Sequence, residues 1–223
     1  MLKTPLLIVN FKAYPSAIGR QAVQLASVCE KIARKFGIEI AVATQSADIC
    51  AVSDKVTIPV LAQHVDPFSS GPHTGSIIPL AVKAAGATGT FLNHSEKRMA
   101  FKELTIANMF AKKAGLQTII FAASPAKAVK AASLKPRPDF IAIEPPELIG
   151  GKRAVSQAKP EVITATTQRI TNIPIICGAG IKTAEDVRKA IKLGAVGVAV
   201  ASGVVLSKSP EGALRELALG LLG

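Results

Sequence analysis

Three observations predict an α/β fold, a single (β/α)8 barrel spanning residues 1–223. Short apolar runs alternate with amphipathic stretches eight times along the chain. The runs are apolar throughout, as in strands buried on both faces, and strands separated by helices run parallel because a crossover is needed to return. Finally, the first run is followed by Asn10-Phe11-Lys12-Ala13-Tyr14 rather than the Gly-rich turn of an open, doubly wound sheet, which is the alternative arrangement.

Residues 5–11 (PLLIVNF) read as the first strand, and 17–36, with apolar positions at helical spacing, as a helix stopped by Gly37. The second strand is 38–43, with a short helix around 46–52. The third is 58–63, followed by a Pro- and Gly-rich loop and a helix over 79–85. Strand four is 88–93, and its helix, 99–113, ends at Gly115. Strand five (118–122) leads into a short helix (125–132) and a Pro-rich turn (135–139). Strand six is 140–144, with a helix over 160–170; strand seven is 173–177, with a helix over 183–193 capped by Thr183. Strand eight is 196–200, and 210–222 is the last helix. Gly86-Ala87-Thr88-Gly89 before strand four echoes Gly194-Ala195-Val196-Gly197 before strand eight, glycine ending a helix in both places.

At 49% hydrophobic and 19% charged the chain is globular, and no Pro- or Ser-rich linker divides it. The longest apolar runs, such as 196–201, are broken by glycine well short of the roughly 20 residues a bilayer requires. The N-terminus reads as a strand rather than a signal peptide, so a cytoplasmic protein with no membrane partner is expected. Cys29, Cys50 and Cys177 are odd in number and lack metal-ligand spacing, which fits reduced thiols and no metal. A net charge of +12 raises nucleic acid as a partner, but Lys and Arg are scattered, Trp is absent and Tyr14 is the single tyrosine. The basic balance is read as a plain basic surface or as a field favouring anionic small molecules entering a cleft, with no nucleic-acid role.

In a barrel the chemistry lies at the C-terminal ends of the strands. Strand six ends in IAIEPPELIG: Pro145 and Pro146 close it stiffly and leave Glu144 at its tip, while Leu148, Ile149 and Gly150 suit a lid over something small. A solvated strand-end Glu is the ordinary alternative. Strand one ends in Asn10, Phe11 and Lys12, the lysine either aimed into the mouth toward an anion or snorkelling on the surface. Strand four ends in Asn93-His94-Ser95-Glu96. There His94 at the start of a helical turn would be kept neutral by the dipole, Ser95 would cap the turn, and Glu96 would tie down a nearby lysine. A histidine satisfied in a packed loop is the plainer reading. Strands seven and eight end in Gly178-Ala179-Gly180 and Ala201-Ser202-Gly203, small residues that let backbone amides approach a phosphate.

Taken together, NFK, NHSEKR, EPPELIG, CGAG and VASG resemble triosephosphate isomerase from end to end, and the short chain with its EPPELIG lid resembles the archaeal branch of that family. The resemblance implies a TIM barrel with Glu144 as general base, His94 as electrophile and Lys12 as the cation facing the reacting oxygens, with Asn10 and Phe11 beside it. It also implies phosphate contacts from Ile149, Gly150, Gly180, Ala201 and Ser202, and a supporting role for Glu96. The implied reaction interconverts dihydroxyacetone phosphate and glyceraldehyde 3-phosphate, in glycolysis and gluconeogenesis, with no cofactor. A homo-oligomer is implied too, a tetramer of dimers or a dimer. His64, Asp66 and His73, which look like a metal trio, are similar instead to part of the loop that docks on a neighbouring subunit in this family. The chain departs from the family's pattern in carrying Phe121 where a cysteine usually ends strand five, and Gly150-Gly151-Lys152-Arg153 at the second lid hinge. An epimerase would want metal-ligating His and Asp at strand ends, and a Schiff-base lyase a lysine inside a mid-barrel strand; neither set is found. A sugar-phosphate binder without catalysis would tolerate loss of Glu144.

Overall fold

The computed structural model describes residues 2–145 and 154–223. The strands are β1 (Leu6–Asn10), β2 (Glu39–Thr44), β3 (Val60–Ala62), β4 (Gly89–Leu92), β5 (Gln117–Ala122), β6 (Phe140–Ile143), β7 (Ile175–Gly178) and β8 (Gly197–Val200). They close into a barrel in sequence order, every neighbouring pair parallel, with β8 returning to β1. Between them run α1 (Arg20–Phe36), α2 (Ile49–Ser53), α3 (Pro79–Ala84), α4 (Phe101–Lys113), α5 (Pro125–Ala132), α6 (Val155–Ala158), α7 (Pro160–Arg169) and α8 (Ala184–Lys192); α9 (Ser202–Val205) and α10 (Pro210–Leu221) follow β8. No helix among the described residues is long and apolar enough to cross a membrane.

Local chemistry explains the helix limits. α1 buries Ala22, Leu25, Ala26, Cys29, Ile32 and Ala33, a stripe at three- and four-residue spacing, and stops at Gly37 with φ 63°, a left-handed end that glycine adopts without strain. α8 begins with the expected Thr183, whose side chain accepts from the Asp186 amide while Asp186 accepts in return from the Thr183 amide. Two short helices, α6 and α9, were not expected, since four residues show no periodicity. The first helix starts at Arg20 rather than at 17, because Pro15–Ala17 is a separate 3-10 turn ahead of Gly19.

Alternation along the strands builds two hydrophobic layers. Leu6, Ile8, Ala41, Ala43, Leu61 and Phe91 point into the barrel, while Leu7, Val9, Phe11, Ile40 and Val42 face the helices. Inside, Phe91, Phe121 and Phe140 are accommodated by small neighbours, Ala41, Ala43, Ala142 and Ala199. Extending the inward set past the strand tips reaches Asn10 on β1, Gln45 on β2, Gln63 on β3, Glu144 on β6 and Gly178 on β7. On these five strands the site follows the same two-residue period that fills the core, whereas His94, three residues past Phe91, falls out of that phase and is placed by the loop after β4.

The echo before β4 and β8 also has a physical cause. Gly86 and Gly194 hold φ 103° and 98°, and Gly89 and Gly197 sit where a side chain would strike the neighbouring strand. A Cβ at Gly197 would overlap the backbone oxygen of Leu6. Gly197→Ala should therefore cost about 1–3 kcal/mol or more through strand displacement. Denaturant unfolding will measure it, and an unchanged midpoint would show that β1 and β8 can part there without penalty.

Candidate active site

A cavity of about 80 Å³ opens at the C-terminal end of the barrel, its walls including Asn10, Lys12, Tyr14, His94, Phe121, Glu144 and residues 179–182 and 199–203. Glu144 follows β6 directly, its amide donating to the Ala122 oxygen at 2.9 Å. The side chain is 10% exposed, and among the described residues its buried Oε2 has no hydrogen-bond donor. Gly178 at the tip of β7 lies beside it: a Cβ there would be in ordinary contact, 3.5 Å from that of Glu144.

His94 presents Nε2 to the same carboxylate at 3.6 Å, too long for a hydrogen bond. Its other nitrogen, Nδ1, lies 3.2 Å from the Glu96 amide. The Glu96 carboxylate is farther, at 3.8 Å, so the amide decides the tautomer. An amide can only donate, which makes Nδ1 the acceptor and leaves the proton of a neutral ring on Nε2, facing the cavity. Burial, the largest influence, holds the imidazolium form down and the ring below its ordinary 6.5, against the pull of Glu144 and Glu96. The helical turn expected at His94 from the sequence is a short one. Residues 94–97 form a single turn, closed by the Lys97 amide on the His94 oxygen, and α4 begins only at Phe101. Ser95 does not cap that turn: its buried Oγ has no partner among the described residues. Asn93, at φ 57°, fastens the loop instead, accepting from the Met99 amide and donating to the Phe121 oxygen.

The lowered His94 value has a consequence for stability. The unfolded chain takes up a proton near 6.5 that the folded ring resists, so stability falls as pH drops below 6.5 until the folded value is passed. The wild type should lose more stability on acidification through that window than His94→Gln does. Equal losses in denaturant titrations at several pH values would remove this linkage.

Lys12 occupies a left-handed backbone position, φ 49°, unusual for a residue with a side chain. Its amide donates to Asn10 Oδ1 at 3.0 Å, while its carbonyl accepts from Gln45 and Gln63 at 3.1 and 3.0 Å. Thus held, Lys12 turns Nζ to Glu96 Oε1 at 2.6 Å beside the cavity. The lysine tied down by Glu96 is therefore Lys12. The side chain of Phe11 is fully buried in the layer between strands and helices, so only its backbone is near the cavity.

Gly180, Ala201 and Ser202 line the far wall, with Ser202 and Gly203 opening α9, whose leading amides have no acceptor within the helix. Gly180 has φ 74° and Ala179 φ 84°, a left-handed pair that turns the chain sharply after β7. Ile149 and Gly150, with the rest of 146–153, lie outside the described residues. Sequence reading missed Gln45 as a support of Lys12; counting inward positions from Ala43 reveals it.

His64 and Asp66 interact at 3.1 Å, and Asp66 accepts from the Ile77 amide, which closes the loop between β3 and α3. His73 stacks on Phe68 instead. Among the described residues no three His, Cys, Asp or Glu side chains are placed to share a metal ion.

A base-like carboxylate, a donor imidazole and a lysine thus meet small-residue strand tips in one cavity. Comparison with known proteins agrees with this arrangement. The profile of the family described as triosephosphate isomerase matches residues 5–217. The chain belongs to the triosephosphate isomerase family. Relatives named triosephosphate isomerase include those of Methanothermus fervidus, 42% identical over 217 residues covering 96% of this chain and 97% of the relative, and Methanobacterium bryantii, 45% identical over 219 residues covering 96% of each. That of Saccharolobus solfataricus is 44% identical over 218 residues, 96% of this chain and 95% of its own. The archaeal character of these triosephosphate isomerases agrees with the short EPPELIG chain.

Proposed function

We propose that the chain is a triose-phosphate isomerase that interconverts dihydroxyacetone phosphate and D-glyceraldehyde 3-phosphate through an enediolate. The observation that carries this reading is the buried Oε2 of Glu144, without a donor among the described residues, beside the Nε2 donor of His94 in a cavity also lined by Gly180, Ala201 and Ser202. Glu144 removes the proton from the carbon next to the carbonyl and returns it to the neighbouring carbon. His94, neutral, donates from Nε2 to the reacting oxygens, and Lys12 stabilises the charge that develops on them. Asn10 holds Lys12, and Glu96 supports both Lys12 and His94. Backbone amides near Gly180, Ala201 and Ser202 receive the phosphate, joined in this reading by Ile149 and Gly150. The carbonyl itself acidifies the C–H, so the reaction calls for no cofactor. The whole of 1–223 acts as one catalytic barrel, in the cytoplasm.

We also infer a homo-oligomer, a dimer or a tetramer of dimers. A second cavity of about 340 Å³ lies behind Lys12, bounded by Gln45, Gln63, His64, Asp66, Glu96 and Lys97, and a loop of a second copy would support the catalytic lysine from there. Sedimentation across a dilution series tests this: a monomer with undiminished specific activity would end the inference.

For the reaction itself, chelator-treated protein is assayed with glyceraldehyde 3-phosphate in a coupled assay. Turnover with kcat/KM above about 10⁴ M⁻¹s⁻¹ is expected. Phosphate-ligand binding without turnover would favour a non-catalytic binder instead.

A further inference from the structure

Phe121, one residue before the end of β5, packs against His94 and lines the cavity of the proposed site. Its ring stands edge-on to His94, centroids 4.8 Å apart with planes at 74°, and edge-on to Phe91 at 4.9 Å. The backbone carbonyl of Phe121 accepts from Asn93 at 2.9 Å, securing the residue that precedes His94. The next carbonyl along the strand, that of Ala122, accepts from the Glu144 amide. One strand tip therefore ties the β4 and β6 ends together, and the aromatic side chain is 3% exposed at the floor of the cavity.

We propose that Phe121 is a positioning residue for His94, its ring fixing the imidazole plane and walling it from water. The charges around His94 show why a wall is needed. Glu144 faces it from the β6 tip at 3.6 Å and Glu96 from its own loop at 3.8 Å, both favouring imidazolium. Lys12 from β1 and Arg98 on the same loop oppose them, but the largest influence keeping the ring neutral is dryness. The Phe121 ring, packed edge-on against the imidazole, keeps water from that side. Phe91 stands edge-on to Phe121 at 4.9 Å and lies nearly parallel to the imidazole at 6.4 Å, so the two aromatic rings together border His94.

The inference rests on His94 acting as the donor in the proposed reaction, so its test reads the imidazole directly as well as the rate. Wild type, Phe121→Leu and Phe121→Ala, labelled with ¹⁵N at histidine, are titrated by NMR alongside pH profiles of kcat/KM. Wild type and Phe121→Leu, which keeps apolar cover, should hold the neutral Nε2–H ring. Phe121→Ala should raise the protonation midpoint of His94 by about one pH unit or more and lower kcat/KM at least about tenfold, the loss growing as pH falls. If Phe121→Ala does not fold, Phe121→Val, whose branched side chain suits a strand, should show the same rise on a smaller scale. Unchanged titration and tautomer in a folded Ala or Val variant would overturn the proposal and leave Phe121 as packing alone. Should the wild type lack isomerase activity while His94 titrates as described, the proposed reaction fails and the positioning role stands.

Discussion

Glu144→Gln lowers kcat by about 10²–10⁴ or more while phosphate-ligand affinity stays within a few fold. Glutamine keeps the volume and the packing beside Gly178, and the backbone link to Ala122 does not involve the side chain. What disappears is the ability of the carboxylate to take a carbon-bound proton. Because the substitution leaves the backbone at 180 and 201–203 unchanged, inhibitor binding should separate from turnover. Stopped-flow or coupled kinetics together with calorimetry of a phosphate-bearing inhibitor will show it. Near-normal turnover would remove Glu144 from the mechanism.

Lys12→Met is expected to depress kcat/KM by on the order of 10²–10³, with KM raised and kcat lowered together. One ammonium serves the bound anion in the ground state and the oxygen charge in the transition state, so both parameters respond. Methionine has a similar length, and the network that holds the residue's backbone runs through Asn10, Gln45 and Gln63 rather than the ammonium. Glu96, left without its partner, is 56% exposed and remains hydrated, so folding should lose less than about 1 kcal/mol. An unchanged kcat/KM would make Lys12 a surface cation whose pairing with Glu96 has no catalytic purpose.

The reading of the polar strand tips was possible because each stands against an apolar background. Asn10 after LLIV and Glu144 after FIAI are abrupt changes at the ends of runs too apolar to be half-solvated. What lies beyond such a contrast is harder to see. Gln45 looks like an ordinary loop residue and Gln63 like an ordinary strand end, yet they converge on one carbonyl across separations of 33 and 51 residues. Phe121 reads as one more core aromatic until its ring is found against His94.

The sequence by itself determined the eight strands and the main helices between them, the closure into a barrel and the residues available at its mouth, because burial on both faces imposes continuous apolar runs separated by amphipathic stretches. Only the tertiary structure decided which side of each strand faces inward, the left-handed turn at Lys12, and the dry aromatic setting of His94. Those depend on the register between strands and on packing between residues far apart in the chain. No local pattern encodes such distances, since the energies that set them arise only when the barrel closes.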